Sequence, residues 1–236
     1  MMPGKLYGVG IGPGDPELIT IKAKRIIESV GYIAVPKAST DGESLALSIV
    51  KEYIPDEVEI LELVFPMSHD GKLLYSYWNE AASSISSKLD EGHDVAFITL
   101  GDPSVYSTYM YIHRLLGDKG YDVEVIPGIT SFCASAAKAG VSLAENSETI
   151  AIIPSAYECD KLDMILDSFD NIVMMKVAKS LAEINKKLTE KGLADKAVLV
   201  SRCGFEDQMI EFDLDKAAQS KLSYFTTLII KKNGVK

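Results

Sequence analysis

Three short stretches of the chain hold the residues best suited to gripping a small ligand. The first, Gly8-Val9-Gly10-Ile11-Gly12-Pro13-Gly14-Asp15-Pro16, has glycine at every second position, so its backbone can approach a ligand closely. It is not a dinucleotide fingerprint, because neither Gly8 nor Gly10 has a glycine five residues on. It is not a P-loop either, because no Gly-Lys-Ser/Thr follows. The second is Gly101-Asp102-Pro103-Ser104-Val105-Tyr106. The third, Pro127-Gly128-Ile129-Thr130-Ser131, opens a small-residue segment, Ala134-Ser135-Ala136-Ala137. Ser131 at a helix N-terminus suits a carboxylate. Asp102 either accepts hydrogen bonds from an amine or ribose hydroxyl or initiates an Asp-Pro turn, and the face of Tyr106 suits a cationic centre. A ligand carrying an amine, a carboxylate, a ribose and a positive sulfur would use all of these, and S-adenosylmethionine is one.

Other chemistries find less support. Cys133, Cys159 and Cys203 have no paired spacing, and His69, His93 and His113 stand apart from any HExxH or Cys-x-x-Cys pattern, so reduced thiols and no protein-held metal are expected. No nucleophile–base constellation is visible. With 24 Lys+Arg against 34 Asp+Glu the net charge is −10, which disfavours a nucleic-acid binder but permits a local basic pocket. No apolar run reaches the roughly 18 residues of a membrane span, and the glycine-broken start is wrong for a signal peptide. A cytoplasmic protein is expected.

The elements that must position these loops follow from hydrophobic periodicity. Strands are predicted at Leu6–Val9, Tyr32–Val35, Val58–Leu63, Val95–Leu100, Val123–Ile126, Thr149–Ile153, Asn171–Met175, Ala197–Val200 and Tyr224–Ile230. Ile19, Ala23, Ile26, Ile27 and Val30 mark one face of a helix with Asp15 as its N-cap and Pro16 in its first turn. Further helices are predicted at Lys72–Glu91, Thr108–Lys119, Ser131–Ala139, Asp160–Asp167 and Ser180–Lys191. The alternation implies an α/β fold with largely parallel pairing. All three glycine-bearing loops then fall at the carboxyl ends of strands, where open α/β sheets bind ligands. The best domain boundary is Gly117-Asp118-Lys119-Gly120, giving units of 1–120 and 121–236.

Gly8 to Thr20, Leu100-Gly101-Asp102-Pro103 and Ile126-Pro127-Gly128-Ile129-Thr130-Ser131 resemble the three signature blocks of the tetrapyrrole methylase family, in order and in spacing. The resemblance implies two α/β domains of class III methyltransferase type with S-adenosyl-L-methionine in the cleft between them, and a homodimer. It places Pro13, Leu100, Gly101, Asp102, Val105, Tyr106, Thr130 and Ser131 around the cofactor, with Lys176 and Thr227 from the later strand ends. Ser104 to Tyr111, with Phe65-Pro66-Met67 and Ser131-Phe132-Cys133-Ala134, is similar to the branch that methylates carbon 20 of precorrin-2 or cobalt-factor II. The alternatives are another tetrapyrrole methylase, acting on uroporphyrinogen III or a later corrin intermediate, or a non-catalytic nucleotide-binding module.

Methyl transfer from a sulfonium needs only orientation and dryness, and no residue stands out as a base. A tetrapyrrole acceptor is a polycarboxylate, so an acidic chain must gather positive charge locally. Lys37, Arg114, Lys179 and Arg202 are the expected substrate cations, and His69 lies in a loop that could approach the macrocycle.

Overall fold

The computed structural model describes residues 2–39, 44–154 and 161–235. Two compact units divide after Thr130. The first contains β1 (Leu6–Gly10), α1 (Ile21–Ile27), β2 (Tyr32–Lys37), α2 (Leu45–Val50), β3 (Glu59–Val64), α3 (Gly71–Asp90), β4 (Val95–Thr99), α4 (Tyr109–Gly117) and β5 (Val123–Ile126). Its sheet has the order β3-β2-β4-β1-β5, and every pair is parallel. Parallel strands need crossover helices that cover the sheet, and all five residues of β4 are buried as a result. Leu6, Val95, Phe97, Ile85, Ile112 and Leu116 form the centre of this core.

Local chemistry sets the helix starts. Asp15 accepts from Glu17 N at 3.0 Å, but it caps only a 3-10 turn at Pro16–Leu18. The α-helix begins later, at Ile21, where Thr20 Oγ1 accepts from Ala23 N at 3.1 Å. The single helix expected from Asp15 is therefore two pieces with separate caps. Asp70 caps α3 by accepting from the amides of Lys72 and Leu73.

The expected boundary at 117–120 is corrected. Gly117 to Gly120 form the turn between α4 and β5, and β5 pairs with β1 from Leu6↔Val123 to Val9↔Ile126. Ending the unit at 120 would leave that edge of β1 unpaired, so the unit extends to Thr130.

The second unit holds α5 (Ser131–Ala139), β6 (Ile150–Pro154), α6 (Leu162–Ser168), β7 (Asn171–Met175), α7 (Leu181–Glu190), β8 (Ala197–Ser201), β9 (Met209–Glu211), α8 (Leu214–Ala218) and β10 (Thr226–Lys231). Its sheet runs β6-β7-β10-β8-β9. Only β6 and β7 are parallel, whereas β10 runs antiparallel to both β7 and β8, and β8 to β9. The expectation of largely parallel pairing thus holds for the first sheet and fails for the second. Ile172, Met174, Leu199, Leu228 and Ile230 pack there against Leu162, Ile184 and Leu188 of the helices. Cys159 and the expected helix start at Asp160 lie outside the described residues. Cys133 is exposed and Cys203 is buried, and neither is in a disulfide among the described residues. Among the described residues no helix is long and apolar enough to cross a membrane.

Candidate functional site

In the first sheet β4, β1 and β5 are adjacent, so the loops leaving their carboxyl ends must meet. Ile11 N donates to Thr99 O at 3.1 Å, and Gly12 and Gly101 exchange two backbone hydrogen bonds of 3.3 and 2.7 Å. Both glycines hold φ values open to few other residues, 81° and 68°, so an isolated antiparallel bridge forms where two parallel strands have just ended. The third loop closes on this bridge. A Cβ at Gly128 would lie 2.1 Å from Gly101 O and 2.7 Å from Gly10 C, so only bare backbone fits.

Asp102 ties the junction together. One carboxylate oxygen accepts from Gly128 N at 3.0 Å, and the other accepts from Ser104 N at 2.8 Å and from Ser104 Oγ. The sequence left Asp102 as either a ligand acceptor or a turn initiator. The structure shows the turn, together with a bolt to the third loop that sequence spacing did not reveal. Farther along, Ser107 Oγ lies 2.9 Å from Thr99 Oγ1 and accepts from Tyr109 N at 3.2 Å, fixing the start of α4. Pro13 and Gly101 are buried at this junction, and Leu100 and Val105 are half-buried.

Gly8 has a different role from its neighbours in the glycine series. A Cβ there would sit 2.0 Å from the ring of Tyr109, which is fully buried. The Tyr109 hydroxyl donates to Glu124 O at 3.2 Å and lies 3.1 Å from His113 Nδ1, and burial pushes its ionisation far above the usual phenol range. Gly8 therefore makes room for a core tyrosine rather than for a ligand.

Thr130 Oγ1, directly before Ser131, the first residue of α5, is buried with no hydrogen-bond partner among the described residues. An orphaned hydroxyl at such a position is costly unless something else satisfies it.

The second unit gathers its own group. Met175↔Thr227 and Ser201↔Thr226 are paired residues, so the carboxyl ends of β7 and β8 flank the start of β10. Lys176 and Arg202, the residues immediately after those ends, have left-handed backbones with φ of 64° and 51°. Lys176 Nζ lies 5.2 Å from the ring of Tyr224, and Arg202 N donates to Phe225 O at 2.8 Å. The Arg202 guanidinium covers the ring of Phe205 at 4.5 Å, and its Nε donates to Asp207. Thr227 is buried in the sheet, and Lys179 ends the 3-10 turn that follows Lys176. Lys176, Lys179, Arg202 and Thr227 thus share one end of this sheet.

The remaining expected cations are scattered. Lys37 ends β2 and pairs with Glu62 at 3.0 Å. Arg114 lies in the last turn of α4 over the ring of Tyr111, at the end of that helix remote from the Gly101 loop, so the structure does not bring it to the junction. His69 lies in the turn before α3, whose cap is Asp70. Among the described residues no cluster of three or more His, Cys, Asp or Glu could hold a metal ion.

A model of the tetrapyrrole (corrin/porphyrin) methylases matches residues 5–218, and the chain belongs to that family. It is 35% identical to the cobalt-precorrin-2 C(20)-methyltransferase of Salmonella typhimurium, covering 98% of both chains. It is 37% identical to the probable cobalt-precorrin-2 C(20)-methyltransferase of Methanocaldococcus jannaschii, covering 97% of this chain and 96% of that one. Among solved structures, a cobalt precorrin-4 methyltransferase superposes with a TM-score of 0.76 at 22% identity, covering 96% of this chain and 94% of that one. The uroporphyrin-III C-methyltransferase of Thermus thermophilus, complexed with S-adenosylhomocysteine, superposes at 0.68 and 18% identity, covering 98% and 99%.

Proposed function

We propose that this chain is an S-adenosylmethionine-dependent C-methyltransferase that methylates carbon 20 of cobalt-precorrin-2, with metal-free precorrin-2 as the alternative acceptor. Identity of 35 and 37% to C(20)-methyltransferases over nearly the whole chain carries the choice of acceptor. The cobalt form is preferred because both relatives are named for it.

The residues present fit the cofactor. The Gly12–Gly101 bridge and the Cβ-free contact at Gly128 leave backbone exposed to close approach. Thr130 Oγ1 offers a buried hydroxyl that lacks a partner among the described residues, and the α5 N-terminus at Ser131 suits a carboxylate. Pro13, Leu100, Gly101, Val105, Thr130 and Ser131 would hold the cofactor, and Lys176 and Thr227 are the further candidate contacts that the resemblance adds. When bound, the sulfonium supplies an already activated methyl group. The chain's own task is to hold the acceptor carbon in line and exclude water, which is worth roughly 7–11 kcal/mol of barrier when the geometry is right. Asp102 fixes two of these loops and is a further candidate contact of the cofactor. Lys37, Lys179 and Arg202 are the candidate partners of the acceptor's carboxylates.

Incubation with carbon-labelled S-adenosylmethionine and either cobalt-precorrin-2 or precorrin-2, followed by NMR of the product, tests the assignment. A new methyl resonance at carbon 20 is expected. Label at another carbon, or none with either acceptor, overturns it. We also infer from the family resemblance a homodimer in the cytoplasm, for which sedimentation equilibrium should give twice the chain mass.

A further inference from the structure

Three of the four non-glycine residues with positive φ among those described follow β4, β7 or β8: Tyr106, Lys176 and Arg202. A bulky aromatic with φ of 49° is the least expected of them, since left-handed backbone is rare for side chains that crowd the following carbonyl. Such strain persists where the surroundings over-determine it, and it concentrates at functional sites.

Here the surroundings are visible. The loop from Gly101 to Ser107 is clamped at both ends. Asp102 binds Gly128 N and Ser104 at one end, and Ser107 binds Thr99 Oγ1 and Tyr109 N at the other. Between the clamps Pro103 is buried and Val105 half-buried, whereas Tyr106 is 51% exposed. The chain thus spends two side-chain clamps and an unfavourable backbone to place one half-exposed ring beyond the carboxyl end of β4. A cofactor that needs close backbone approach is served by Gly12, Gly101 and Gly128, none of which requires that ring. A broad planar acceptor requires a surface of this kind, because offset stacking on an aromatic face is favourable and tolerant of substituents.

We propose that Tyr106 is a specificity-determining residue whose ring packs against the face of the tetrapyrrole acceptor. This departs from the sequence expectation of a place beside the cofactor's cationic centre, and it rests on the function proposed above. The clamps fix the backbone that carries the ring before the acceptor arrives, so little loop freedom is lost on binding.

The test compares Tyr106→Phe, Tyr106→Ala and Tyr106→Gly with the wild type. Calorimetry with S-adenosylhomocysteine measures the cofactor site, and fluorescence titration with uroporphyrin III, a stable planar polycarboxylate, measures the acceptor site. Acceptor KM is measured with cobalt-precorrin-2. Tyr106→Ala is expected to weaken uroporphyrin binding and raise acceptor KM by about five- to tenfold, with S-adenosylhomocysteine affinity unchanged. Tyr106→Phe should stay within about twofold of wild type, because the face and not the hydroxyl makes the contact. Tyr106→Gly should lose acceptor affinity like the alanine variant while raising the thermal midpoint, since glycine adopts φ of 49° without strain, and that separates a binding defect from misfolding. Unchanged acceptor binding in Tyr106→Ala, or a loss confined to S-adenosylhomocysteine, overturns the proposal. Failure of the wild type itself to bind any tetrapyrrole would instead sink the underlying function.

Discussion

Thr130 is the residue at which a stability measurement reports on a ligand. Its buried Oγ1 finds no partner among the described residues, and an unsatisfied buried hydroxyl costs about 1–3 kcal/mol. Thr130→Val keeps the shape and removes the polar atom. It should therefore raise the urea midpoint of the ligand-free protein while weakening S-adenosylhomocysteine about tenfold, a loss of about 1.4 kcal/mol. A variant with unchanged affinity would show that the hydroxyl does not serve the cofactor. Gly128 gives the opposite pattern. Its absent Cβ would meet backbone at 2.1 and 2.7 Å, which no side-chain rotation relieves, so Gly128→Ala should cost on the order of 1–3 kcal/mol and abolish cofactor binding. Gly140→Ala is the control: its φ of 70° carries backbone strain, but nothing lies within 4 Å, so it should cost about 1 kcal/mol and leave binding intact. Urea denaturation and calorimetry separate the two.

Among elements, acid stability should centre on the end of β10. Glu148 accepts from Asn171 Nδ2 at 2.9 Å, Asn233 Nδ2 at 2.8 Å and Glu145 N at 2.9 Å, with Lys231 Nζ 3.5 Å away. Chiefly through Asn171, these donors hold its carboxyl at about 2 against an ordinary 4.5. A depressed folded-state pKa means that the unfolded chain binds the proton first. The stabilisation is therefore complete above about 4.5 and is lost as pH falls towards 2. In thermal melts, wild type should lose midpoint between pH 5 and 2 more steeply than Glu148→Gln, with the two curves converging at the acid end. Parallel curves would show that Glu148 contributes nothing to the pH dependence. Such a network is invisible in sequence, because Asn171 and Lys231 are brought together by the β7–β10 pairing and Glu148 reaches them through the β6–β7 pairing. The strands themselves were legible. Alternating short apolar runs placed nine of them near their observed positions, and the three punctuated loops were readable because glycine and proline mark chain reversals. What escaped has physical reasons. β9, α2 and α8 span three, six and five residues, too short for any periodicity to show. The direction of β10 depends on pairing partners far away in the chain. Gly8 reads as part of a ligand loop until Tyr109 is seen filling the space beneath it. Two glycines around charged residues at 117–120 look like a linker, although the edge of β1 must still be paired beyond them.

At the scale of the whole molecule, a chain of net charge −10 has to receive a polycarboxylate, and the long-range field opposes the encounter. Local cations can still win at contact, because screening confines each charge to about 10 Å at 0.1 M salt. The candidates are not equivalent. Lys37 and Arg202 spend much of their charge on Glu62 and Asp207, whereas Lys179 forms no ion pair among the described residues. Lys179→Gln should therefore raise acceptor KM more than either Lys37→Gln or Arg202→Gln. The salt profile gives the independent check. If repulsion by the net charge governs association, kcat/KM rises as salt screens it. If the local cations govern, kcat/KM falls, by less than about tenfold because few contacts are involved. The expected outcome is a fall in the wild type that flattens in Lys179→Gln. A rise in the wild type would mean that the acceptor meets no cationic site strong enough to outweigh the acidic surface.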